Sequence, residues 1–270
     1  MSLKIILGNA GAGKSTALLR EVIRHAAAHP EMSHLVLVPE QFCLSTQRRL
    51  VEMHPDHVLL NIEALSFDRL AARAFRELRA EAADVLSDTA KTLFLSLAVR
   101  DVRSRLEVYQ RQTGYPAFVQ RLSSLIAEWT MNDIGPERLR ELSEEEGLPR
   151  LLRLKLKDLA LIYEAFRRRL GDKQTAEELL PRFSRLLPRS TVGRADRLYL
   201  DGFTGFTTVQ YRILEELMRR AGETCAVLTL PPEEDPDAPV REGDLFALSR
   251  RTVRRLEHCA REAGQKTEIR

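Results

Sequence analysis

The chain has 270 residues, of which 44% are hydrophobic and 30% are charged, and its formal net charge is +3. This composition indicates a globular protein with a proper core and excludes a strongly basic polyanion-binding protein. The three scattered cysteines exclude a disulfide scaffold, and no run of about 18 apolar residues exists to span a membrane, so we expect a cytoplasmic protein without membrane contact.

Two parts of the sequence show alternating strand and helix patterns. Short apolar runs predict strands at residues 3–7, 34–39, 57–62, 197–201 and 224–230. Helical periodicity predicts helices at residues 14–29, 44–54, 66–80 and 207–220. Nearly continuous apolar runs that alternate with helices are typical of a parallel α/β sheet, in which the strands are buried on both faces.

The middle of the chain has a different pattern. Between residues 87 and 188 no strand is indicated, and helical spacing covers 87–111, 115–131, 136–146 and 150–170. We therefore predict a helical subdomain, 87–188, inserted between the two halves of a sheet domain, 1–86 and 189–270. A helix at 245–263 is followed by the start of another strand at 266–270, so we expect the domain to be truncated at its C-terminus.

A glycine-rich loop follows the first predicted strand. It reads Gly-Asn-Ala-Gly-Ala-Gly-Lys-Ser-Thr and matches the phosphate-binding pattern at every fixed position. Its glycines let backbone N–H groups point at a phosphate, Lys14 reaches the β- and γ-phosphates, and Ser15 offers its hydroxyl to Mg²⁺. We predict that ATP and Mg²⁺ bind here, at the residues Gly8, Asn9, Ala10, Gly11, Ala12, Gly13, Lys14, Ser15 and Thr16.

A second ligand for Mg²⁺ is predicted at the end of the strand 197–201. Asp201 follows an apolar run, as does the metal-binding aspartate of proteins with a phosphate-binding loop. Hydrolysing enzymes commonly place a glutamate directly after this aspartate as the base for the attacking water. Here Gly202 follows, and the next carboxylate is Glu215. We therefore predict ATP binding with little or no hydrolysis, and we assign no catalytic residue.

Four segments together resemble the N-terminal region of AddB-type (RexB) subunits of the bacterial AddAB helicase–nuclease. They are GNAGAGKST at 8–16, LVLVPEQFCLSTQRRL at 35–50, NIEALSFDRLAARAF at 61–75 and LYLDGFTGFTTVQYRILEEL at 198–217. The resemblance covers essentially the whole chain, and VPEQF and LDGFTGFT are its most specific parts. It implies a P-loop NTPase fold of the superfamily 1, UvrD-like helicase type, with a parallel sheet domain and an inserted helical subdomain.

The resemblance also implies a role in double-strand break repair and recombination. Gln41 and Phe42 match a first single-strand DNA motif, and Ser66 and Phe67 match a second DNA-contacting segment. The implied partners are DNA and an AddA-type motor and nuclease subunit, which forms a heterodimer with AddB. A nuclease domain and an iron–sulfur cluster are expected only in the full-length parent.

The motor itself is expected to be inactive. Active helicases carry Asp-Glu-x-Gln-Asp where this chain has Asp-Gly-Phe-Thr-Gly, starting at Asp201. They also carry Gly-Asp-x-x-Gln after the strand that corresponds to 224–230, where this chain reads Pro-Pro-Glu-Glu-Asp at 231–235. The adenine-reading glutamine found upstream of the loop in such helicases is absent as well.

Two other functions stay open from the sequence. In an active kinase or ATPase acting on a small substrate, the helical segment 87–188 would be a lid that closes over the γ-phosphate. Such an enzyme would turn over ATP without DNA, whereas a helicase-like module would respond to single strands. A scaffold with a fossil ATP site would bind no nucleotide, but the intact Lys14 and Ser15 argue against it.

Overall fold

A computed structural model describes residues 1–80, 85–241 and 243–269 of the chain. These residues contain a six-stranded parallel sheet with the strand order β3-β2-β4-β5-β1-β6. The strands are β1 (Ser2–Ile6), β2 (His34–Leu37), β3 (Ile62–Leu65), β4 (Arg197–Leu200), β5 (Glu223–Val227) and β6 (Lys266–Ile269). The fold is therefore of the α/β class, as the alternating sequence pattern predicted.

The helices fill the connections between the strands and the middle of the chain. They are α1 (Lys14–Ala28), α2 (Cys43–Met53), α3 (Phe67–Glu77), α4 (Asp88–Val102), α5 (Pro116–Met131), α6 (Pro136–Glu144), α7 (Arg150–Leu170), α8 (Leu179–Leu186), α9 (Thr208–Arg220) and α10 (Ala247–Glu262). Within the described ranges, none of these helices combines the length and apolar character that crossing a membrane requires.

The chain divides into two compact units. The α/β unit comprises residues 1–80 and 183–270 and holds the whole sheet, and the helical unit comprises residues 81–182. In the helical unit, α4 and α6 pack against the long helix α7, and buried side chains such as Leu95, Val99 and Phe166 form its core. The domain ranges 1–86, 87–188 and 189–270 remain a prediction from the sequence.

Helix α1 packs on one face of the sheet. This packing holds β1, the loop that follows it and α1 together as one strand-loop-helix unit. Leu18, Leu19 and Val22 recur at helical spacing and are almost fully buried against Val36 of β2 and Tyr199 of β4. All four side chains of β2 are buried, which fits a central strand of a parallel sheet. The first strand and helix predicted from the sequence are thus confirmed.

The third strand differs from its prediction. The apolar run 57–62 predicted a strand there, but Leu60 in that run is 92% exposed, and β3 begins only at Ile62. The cause is a tertiary contact, because the Asn61 side chain donates hydrogen bonds to the carbonyls of Ala26 and Met32 (3.2 and 2.9 Å). Asn61 therefore ties the loop to the end of α1, and pairing with β2 starts at the next residue.

A buried histidine lies at the amino-terminal end of β2. His34 is 2% exposed, and its ring centroid is 6.1 Å from that of Tyr199 and 5.3 Å from that of His25. Neither ring nitrogen of His34 has a hydrogen-bond partner among the residues described. Burial, followed by the nearby His25 and Arg197, lowers the pKa of His34 to about 4. The folded protein therefore holds this ring neutral well below pH 6.5.

We expect His34 to make the α/β unit less stable as the pH falls from about 6.5 to about 4. In this range the unfolded chain takes up a proton that folded His34 does not bind, so the proton favours unfolding. The loss is on the order of 3 kcal/mol, from a pKa difference of about 2.5 units. Urea unfolding of wild type and His34→Phe at pH 7 and pH 4.5 measures this loss. The free energy of unfolding should fall further between the two pH values in the wild type than in His34→Phe.

The control for this prediction is the exposed histidine of α10, changed as His258→Phe. This variant makes the same chemical replacement at a solvent-exposed position, so it measures the effect of exchanging an imidazole for a phenyl ring without burial. Parallel pH curves for wild type and His34→Phe would contradict the prediction.

Candidate functional site

The glycine-rich loop, residues 8–16, joins the carboxyl end of β1 to helix α1. Gly13, the residue before α1, has φ of +79°, a backbone conformation that glycine adopts without strain. The Lys14 ammonium donates hydrogen bonds to the carbonyls of Gly8 (2.8 Å) and Asn9 (2.6 Å). The lysine therefore lies across the loop, with its charge where the sequence pattern places a bound phosphate.

The structure brings Asp201 to the glycine-rich loop from far along the chain. Asp201 follows β4 and is 7% exposed, and its Oδ1 accepts a hydrogen bond of 2.7 Å from the Ser15 hydroxyl. The two side chains meet because the carboxyl ends of parallel strands share one edge of the sheet. Partial burial lowers the pKa of Lys14, and the negative charge of Asp201 opposes this shift.

These groups line a pocket of about 440 Å³. Its lining residues are Ala10, Gly11, Ala12, Gly13, Lys14, Ser15, Thr16, Asp201, Gly202, Phe203, Thr204, Val227 and Thr229. Among the lining residues that the structure describes, Asp201 is the one carboxylate. Sequence reasoning did not assign five of the lining residues to the site: Gly202, Phe203, Thr204, Val227 and Thr229. The first three directly follow Asp201, and the last two reach the pocket because β5 lies between β4 and β1.

The donor set at this pocket suits Mg²⁺ better than a metal held by the protein alone. In the part of the chain that the structure describes, no group of three or more His, Cys, Asp or Glu side chains is arranged to hold a metal ion. Mg²⁺ is usually bound through one or two carboxylates together with substrate phosphates and water. Ser15 and Asp201 fit that chemistry, in which phosphates and water would supply the remaining ligands.

Two of the four residues predicted to contact DNA lie on the surface. Gln41 and Phe42 belong to a 3-10 turn (Glu40–Phe42) between β2 and α2. Gln41 is exposed and Phe42 is 45% exposed. The ring of Phe42 lies beside Gly202, since a Cβ added to Gly202 would be 3.3 Å from Phe42 Cδ2. An exposed aromatic ring therefore adjoins the residue that follows Asp201.

The other two predicted residues, Ser66 and Phe67, are 2% and 3% exposed. Ser66 caps helix α3 by accepting a hydrogen bond from the Arg69 backbone N–H (3.2 Å), and its hydroxyl donates to Glu40. Hydrogen bonds from Ser66 and Arg69 lower the pKa of Glu40. Phe67 packs edge-on to Phe203, with 5.8 Å between ring centroids. The pair thus supports the turn and the pocket wall from inside the unit, and its contact with DNA remains a prediction.

Comparison with known proteins identifies the family. The family described as "ADDB, N-terminal" matches residues 5–270. The chain is 36% identical over its full length to the B subunit of the ATP-dependent helicase/deoxyribonuclease of Lachnoclostridium phytofermentans, and 30% identical over 97% of its length to that of Staphylococcus aureus. It spans 23% and 22% of the length of these two relatives. The chain belongs to the ADDB N-terminal family.

Proposed function

We propose that this chain is a helicase-like module of the superfamily 1 P-loop type, which binds Mg·ATP and engages single-stranded DNA within an AddB-type protein acting in double-strand break repair. The single observation that carries the proposal is the contact between Ser15 of the glycine-rich loop and Asp201 (2.7 Å), with Lys14 beside it. These are the groups that the phosphate-loop chemistry requires for phosphate and for Mg²⁺.

Bound ATP is proposed to act as a conformational latch rather than as fuel. Attack on the γ-phosphate needs a group that positions or deprotonates water, and Asp201, already the proposed Mg²⁺ ligand, is the one carboxylate of the described lining. Hydrolysis and unwinding would come from an AddA-type partner with an intact motor. An iron–sulfur cluster and a nuclease domain would belong to the parent protein outside these residues.

DNA binding is proposed for the surface formed by Gln41 and Phe42. An exposed aromatic ring gives a base a stacking partner without regard to sequence. The relatives are named as one subunit of a helicase/deoxyribonuclease, which supports both a partner chain and a role on DNA for the whole protein.

Isothermal titration calorimetry, with Mg·ATP titrated into the wild-type chain and into the Lys14→Ala variant, tests the nucleotide site. We expect Lys14→Ala to weaken binding about 100-fold, or about 2.7 kcal/mol, because it removes the cation at the phosphates. Arg20→Ala is the control, since it removes a positive charge from an exposed position of the same helix. Equal affinities of wild type and Lys14→Ala would contradict the proposal.

ATP turnover in the same samples, with and without single-stranded DNA, tests the latch. Negligible turnover in both is the expected result. Robust ATP turnover without DNA would contradict this proposal and favour the alternative, an active kinase or ATPase acting on a small substrate.

A further inference from the structure

An arginine of helix α2 lies next to the glycine-rich loop. The Arg49 guanidinium donates a hydrogen bond of 2.9 Å to the hydroxyl of Thr16, which lines the nucleotide pocket. Arg49 is exposed and forms no ion pair with any carboxylate that the structure describes. Its neighbour Arg48 differs, because it pairs with Glu52 one turn further along the helix (2.6 Å). Arg48 is therefore neutralised by a carboxylate, whereas Arg49 keeps its charge beside Thr16, a residue of the pocket lining.

The charge of the pocket favours a further cation. Its described lining contains one cation, Lys14, and one anion, Asp201, whereas Mg·ATP brings a net negative charge. A guanidinium has five N–H donors in a rigid fork that matches phosphate oxygens, and the contact with Thr16 uses one of them. We propose that Arg49 is a phosphate ligand of the nucleotide. This inference rests on the proposed nucleotide site.

The position of Arg49 selects the phosphates that it binds. Ser15 marks the metal end of the pocket through its contact with Asp201. Thr16 is the next residue of α1, and successive side chains of a helix point about 100° apart, so Thr16 and Arg49 lie to the side of the metal end. Arg49 therefore binds phosphates that ATP and ADP share, and not the γ-phosphate.

Titration calorimetry with three ligands tests this assignment: Mg·ATP, Mg·ADP and magnesium tripolyphosphate. Arg49→Ala should weaken all three about 10-fold, and Arg49→Lys about 3-fold, because lysine keeps the charge and loses the fork. The matched control Arg48→Ala should stay within about twofold of wild type. Tripolyphosphate has no base or sugar, so an equal loss with it assigns the contact to phosphate.

Several results would overturn the inference, and they are separable from failure of the proposed function. If Lys14→Ala abolishes binding and Arg49→Ala binds like Arg48→Ala, the nucleotide site stands and the role of Arg49 falls. A loss confined to Mg·ATP would move Arg49 to the γ-phosphate and overturn the assignment. A nucleotide-free melting temperature lower in Arg49→Ala than in Arg48→Ala would make its role structural. If the wild type binds no ligand, both proposals fail.

Discussion

Replacing Asp158 with alanine is expected to destabilise the helical unit by about 3 kcal/mol. Asp158 lies on α7 and is 3% exposed, and its carboxylate accepts hydrogen bonds from the backbone N–H groups of Glu107, Val108 and Tyr109 (2.8–2.9 Å). Alanine leaves these three donors without their acceptor. Because Glu107 is exposed and Val108 and Tyr109 are half-buried, each lost bond costs about 1 kcal/mol, the low end of the range for an unsatisfied donor. The carboxylate thus organises the segment that follows α4.

Urea unfolding followed by circular dichroism measures this loss. Asp172→Ala is the control, because it removes the same side chain from an exposed position of the same unit and should change the free energy of unfolding by less than about 0.5 kcal/mol. Asp158→Asn keeps one carbonyl acceptor and should fall between wild type and Asp158→Ala. Equal stability of Asp158→Ala and Asp172→Ala would show that water replaces the carboxylate.

Local sequence patterns predicted the parts of the fold whose determinants are close in the chain. The glycine-rich loop, its preceding strand and helix α1 all follow from about 28 consecutive residues with clear periodicity. The approach of Ser15 to Asp201 also follows from the sequence, once the strands are taken as parallel, because their carboxyl ends share one edge.

Contacts between distant segments could not be predicted in this way. The bonds of Asp158 span about 50 residues, and the contact of Arg49 with Thr16 depends on how α2 packs beside α1. The start of β3 depends on the long-range hydrogen bonds of Asn61, which apolar periodicity does not encode. In each case a polar side chain satisfies backbone or side-chain partners elsewhere in the fold, and no local pattern marks it.

Introducing the missing carboxylate as Gly202→Glu is expected to give no ATP turnover and to lower the free energy of unfolding by about 2–5 kcal/mol. Gly202 has φ of +78°, which strains any residue with a Cβ. A Cβ there would also lie 3.3 Å from both Phe42 Cδ2 and Pro39 Cδ, so these two side chains would have to give by a few tenths of an ångström. We therefore expect the glutamate side chain to compete with Phe42 for this space rather than to orient a water.

Alanine substitutions at two glycines separate the cost of backbone strain from the cost of crowding. Gly264 follows α10 with φ of +72° and has no atom within 4 Å of an added Cβ, so Gly264→Ala reports backbone strain alone. The extra loss in Gly202→Ala then measures crowding against Phe42 and Pro39. Turnover by Gly202→Glu at wild-type stability would contradict the prediction. If the prediction holds, the contact with Phe42 and a glutamate after Asp201 are mutually exclusive, because both require the space at Gly202. The absence of a glutamate after Asp201 and the contact of Gly202 with the exposed Phe42 ring then have one structural cause.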